Sequence, residues 1–70
     1  MKNFETIAAQ ILLKKIQVLN FKQENSTSKE MSDYYLTQLA ILYKVASELY
    51  SIDNNSWYHI EKELEIIANN

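Results

Sequence analysis

The closest this 70-residue sequence comes to a chemical site is one histidine, His59, with Glu63 four residues beyond it. Residues at that spacing share a face of a helix and can grip one metal ion. Two ligands without a third do not make a site, and the chain has neither a second histidine nor a cysteine. The pair therefore reads as an exposed His–Glu contact. Replacing His59 by alanine is expected to leave stability and activity nearly unchanged.

The neighbouring carboxylates Glu61, Glu63 and Glu65 alternate around one short segment and do not converge as a general acid and base. One histidine and a loop aspartate, Asp53, cannot build a nucleophile–base–acid triad. Glycine and proline are both absent, which removes phosphate-cradling loops, nucleophile elbows and tight hairpin turns together. The expectation is a protein without catalysis, metal or cofactor.

Nucleic-acid binding is disfavoured by charge. All seven basic residues are lysines, and arginine is the usual bidentate reader of phosphate and guanine. A recognition helix over residues 57–68 would bring Glu61, Glu63 and Glu65 against one Lys62, which repels a phosphate backbone. A membrane span is also excluded by pattern. The longest unbroken apolar run, Leu39 to Tyr43, is far below the about 20 residues required. The N-terminal stretch does not have the form of a secretory signal, so a cytoplasmic location is expected. The wealth of Asn, Lys, Ile, Tyr and Glu is the composition of an AT-rich genome, as in low-GC bacteria and their phages.

Three amphipathic segments must position whatever function remains. The first spans about residues 4–23, with Asn3 as its N-cap. Phe4, Ile7, Ile11 and Val18 form one stripe, and Ala8, Leu12, Ile16 and Leu19 the next, with Lys15 inside the arc. Thr27 to Glu30 reads as a capping box opening a second helix over about residues 28–50. Its principal stripe is Met31, Tyr35, Leu39, Leu42, Ala46, Leu49 and Tyr50, with Leu36 and Tyr43 alongside. A separate stripe of Tyr34, Gln38, Ile41 and Val45 crosses the same helix. After a break at 53–56, where asparagines can turn left-handed and Asn55 or Ser56 can cap, a short helix covers about 57–68. Trp57, Ile60, Leu64 and Ile67 make its seam. Tyr58, Glu61 and Glu65 form one outer flank.

The fold expected is all-α, a long antiparallel hairpin with a short third helix folded back over one end. A 70-residue chain balances narrowly. Burial supplies about 110 kcal/mol against an ordering cost of about 105 kcal/mol. The second apolar stripes on both long helices point to a homodimer, because one short helix cannot cover both. Charge is segregated, +3 over residues 1–29 and −5 over residues 30–70, which suits attraction between the halves. Of five tyrosines, Tyr35, Tyr43 and Tyr50 suit the core, while Tyr34 and Tyr58 suit an interface. The candidate interface is therefore Tyr34, Gln38, Ile41, Val45, Tyr58, Glu61 and Glu65. The expected function is a non-catalytic, homodimeric adaptor, inhibitor or regulator of a larger, unidentified protein. A small nucleic-acid-associated regulator is the alternative, and a structural component of an assembly the second alternative.

Overall fold

Asn3 starts the first helix as its side chain predicts: its Oδ1 accepts the Thr6 amide at 2.8 Å while its own backbone stays extended. The computed structural model describes residues 3–53 and 57–69, and these fold into α1 (Phe4–Glu24), α2 (Lys29–Tyr50) and α3 (Trp57–Ala68) with no strand among them.

The second helix begins one residue later than a capping box at Thr27 requires. Ser28 is the N-cap, and its hydroxyl accepts the Met31 amide at 3.2 Å. Both residues carry a short hydroxyl, so composition alone does not choose between them. At its other end α2 stops at Ser51, which takes the left-handed conformation at φ 54°. The amides of Ser51 and Ile52 both return to the Ser47 carbonyl, and the Ser47 hydroxyl donates to Ile52 O at 2.6 Å. Serine here takes a conformation more often filled by glycine or asparagine. The expected turn and cap at Asn54, Asn55 and Ser56 lie outside the described residues.

α1 and α2 run antiparallel. Gln23 donates to the Ser32 hydroxyl at the loop end, and the Tyr50 hydroxyl donates to Glu5 O at the other. α3 also runs against α1, because Asn20 meets Glu61 while Gln10 donates to Ala68 O at 2.9 Å. It lies along the middle of α1 and does not fold over one end. α1 is the shared element, and α2 and α3 touch each other far less than either touches α1. The result is a flat body of 42 × 24 × 15 Å.

This arrangement buries only part of the broad apolar surface of each long helix. On α1 the buried line is Thr6, Ala9 and Ile16, with Leu12, Leu13 and Leu19 packed against the core. Phe4, Ile7, Ile11 and Val18, the other apolar stripe of α1, are exposed. The apolar arc of α1 spans about half its circumference, and two neighbours on adjoining sides leave the remainder open. On α2 the centre moves to Leu39, Tyr43 and Ala46, while Met31, Leu36 and Leu49, expected in or beside the principal stripe, stand exposed. Tyr43 is drawn inward because its ring stacks on Trp57, with centroids 4.8 Å apart and planes 14° apart. On α3, Ile60, Leu64 and Ala68 are buried and Ile67 packs beside them.

Candidate functional site

Two features distinguish this molecule: a polar knot among the three helices, and an uncovered face on the α1/α2 hairpin.

The knot joins one residue from each helix. Tyr43 donates its hydroxyl to Glu61 Oε1, and Asn20 Nδ2 donates to the same oxygen at 3.0 Å and lies 3.4 Å from the Tyr43 oxygen. Burial pushes the Tyr43 hydroxyl well above the usual tyrosine range, and its bond to Glu61 pushes further the same way; Asn20 acts in the opposite sense. A phenol held protonated is a donor and not a base, and it is fully engaged by Glu61. The knot fixes helices to one another. Glu61, expected on an outer flank, is turned inward to complete it.

The remaining candidates are divided between two elements. Tyr34, Ile41 and Val45 stand exposed on α2 with half-buried Gln38 among them. The Tyr34 ring meets Tyr35 edge-on at 5.6 Å. Tyr58 and Glu65 are exposed on α3, where Lys62 Nζ lies 5.7 Å from the Tyr58 ring centroid. His59 is exposed and Glu63 half-buried. Among the described residues no three His, Cys, Asp or Glu side chains are grouped to hold a metal ion. No helix among them is long and apolar enough to cross a membrane.

The α2 stripe is half of a larger surface. On α1, Phe4, Ile7, Ile11, Val18 and Phe21 are also exposed, and with Lys14 they occupy positions 4, 7, 11, 14, 18 and 21. On α2, Met31, Tyr34, Gln38, Ile41, Val45 and Glu48 occupy positions 31, 34, 38, 41, 45 and 48. Steps of three and four repeated over six positions form a helix-packing seam, and each long helix carries one that the described residues leave largely uncovered. Between them runs an open groove of about 570 Å³, with Val18 and Leu19 on one wall and Ile41 and Leu42 on the other. Lys14 and Lys15 border it and Gln38 lies in its α2 wall. Smaller recesses continue the face, by Phe21, Met31 and Tyr35 at the loop end and by Phe4, Ala8 and Leu49 at the other.

In the sequence Phe4, Ile7, Ile11 and Val18 are one of two adjoining apolar stripes on α1. The signal that separates them is Lys14, a charge at the fourth position of an otherwise apolar seam. Comparison with known proteins finds no matching family model, no matching curated protein and no matching solved structure.

Proposed function

We propose that this protein works by binding protein, without catalysis, through the open face of its α1/α2 hairpin, as an adaptor, inhibitor or regulator. The observation that carries this reading is the pair of uncovered seams. Ten large apolar residues stand exposed along or beside them: Phe4, Ile7, Ile11, Val18 and Phe21 on α1, and Met31, Tyr34, Ile41, Val45 and, next to the seam, Leu49 on α2. At about 200 Å² for a large residue in full exposure, their combined surface is about 1,100 Å². The largest apolar patch on a typical monomer is about 300–600 Å². The accessible surface of the chain is 5091 Å², against about 4,500 Å² expected for a folded 8.2 kDa protein. A face this apolar, laid along two long helices, suits other helices packed in register with it.

The test compares the parent with Ile41→Lys. Ile41 is more than half exposed, so the fold survives a charge there while the face does not stay apolar. Binding of a hydrophobic dye, self-association and recovery of any stoichiometric protein complex are measured for both. Loss of these in the variant supports the reading. Equal behaviour of the two proteins in all three measurements removes it.

A further inference from the structure

We infer that the occupant of the open hairpin face is a second copy of this chain, related by a two-fold axis parallel to the helices, so that each α1 lies over the partner's α2. The inference rests on the reading of that face as an interaction surface and names its partner.

Area is the first argument. A stable interface covers about 800 Å² on each partner, and the ten exposed apolar residues present about 1,100 Å². One copy laid on another therefore suffices, with no further protein. Length is the second. α1 has 21 residues and α2 has 22, and their seams have six positions each, so an α1 over an α2 matches end to end. The antiparallel pairing of the hairpin is reproduced between the copies, and four helices close around an apolar centre.

Charge selects the axis. The open side of α1 carries Lys14, Lys15 and Lys22, while the outer rim of α2 carries Glu30 and Glu48 with Lys44 between them. An axis across the helices would lay α1 on α1, bringing Lys14 and Lys15 against their own copies, and would set the Glu48 end of α2 against the Glu30 end. Like charges would meet on both helices. The axis along the helices keeps Lys14 and Lys15 off their own copies and the Glu48 end off the Glu30 end, and places Lys14 within about a turn of the partner's Lys44. In the register fixed by the Gln23–Ser32 and Tyr50–Glu5 contacts, Lys22 lies near the level of Ser32 and so within about a turn of the level of the partner's Glu30. Such rim charges set orientation more than affinity.

The full chain is tested by sedimentation over a concentration series, with circular dichroism to confirm the fold. The parent is expected at twice the 8.2 kDa chain mass. Ile41→Lys is expected to associate at least about tenfold more weakly. Ile66→Lys, on the exposed side of α3, is expected to remain dimeric. Because the chain has no cysteine, Leu49→Cys reports the axis: mild oxidation links it to its own copy when the axis runs along the helices. A link that forms only in a mixture of Met31→Cys and Leu49→Cys overturns that axis in favour of the crosswise one. A parent monomeric at every concentration overturns self-pairing, as does an Ile41→Lys protein that dimerises like the parent. With a monomeric parent, dye binding separates the two ideas. Dye binding that Ile41→Lys abolishes keeps the face as a surface for a different protein, and no dye binding removes both.

Discussion

The hydroxyl of Tyr43 on α2 donates to the Glu61 carboxylate on α3, across 18 positions of sequence. The Asn20 amide of α1 reaches the same oxygen, so one carboxylate gathers all three helices. α2 and α3 share few other contacts, and this bond with the Tyr43–Trp57 stack supplies much of what joins them. Hydrogen bonds to a charged partner contribute about 1.5–3 kcal/mol. Tyr43→Phe keeps the ring and the stack but removes the donor, and it is expected to lower unfolding stability by that amount. Urea melts followed by circular dichroism measure it. A change below about 0.5 kcal/mol would mean that the hydroxyl does not secure α3.

The same bond gives the fold an alkaline limit. An unfolded tyrosine ionises near pH 10, whereas burial and then the bond to Glu61 raise the value for Tyr43 in the folded chain. Tyr50 shifts the same way, through burial and then the nearby Glu5 carboxylate. A raised value means that the folded state holds the proton longer. The associated stability is therefore complete below about pH 10 and declines as pH rises from there toward the folded values. Urea midpoints are expected to fall across that range, more gently for Tyr43→Phe than for the parent. Tyrosinate absorbance offers a second reading, because the variant lacks one group that ionises late.

Local capping separates two adjacent residues. Ser28 accepts the Met31 amide, while Thr27 is exposed and precedes the helix by one residue more. Ser28→Ala is expected to cost about 1 kcal/mol and Thr27→Ala to have little effect. Thermal melts of the two variants decide between the caps, and the reverse order would make Thr27 the cap and move the helix start back by one residue.

Helix positions were legible in the sequence because periodicity and caps are local properties. The cap at Asn3 and the polar break after Glu24 follow from side chains within one turn of each boundary. Which face of each helix lies inside was less legible, because it depends on where the neighbours sit. An apolar arc as broad as that of α1 allows several burial faces, and α3 settles the choice by packing along Ala9 and Ile16. The inward turn of Glu61 was hidden for a similar reason. A glutamate beside Glu63 and Glu65 looks solvated until Tyr43 and Asn20 converge on it from other helices. The α2 half of the open face could be read, since Tyr34, Ile41 and Val45 fall outside the stripe centred on Leu39.

The sharpest test of the packing sets two isoleucines of α1 against each other. Ile16 is fully buried, whereas Ile11, more than one turn earlier on the same helix, is 53% exposed. By pattern alone they lie on two adjoining apolar stripes of the same helix. In this fold Ile16→Ala empties a site enclosed by the other helices and is expected to cost about 2–5 kcal/mol. Ile11→Ala removes a side chain from the open face and is expected to change the stability of the monomer by less than about 1 kcal/mol. Both are measured by urea unfolding in the Ile41→Lys background, so that any pairing between copies does not add to the result. Equal losses at the two positions would show that α1 is rotated from the orientation described, with the Phe4–Val18 stripe turned toward the core.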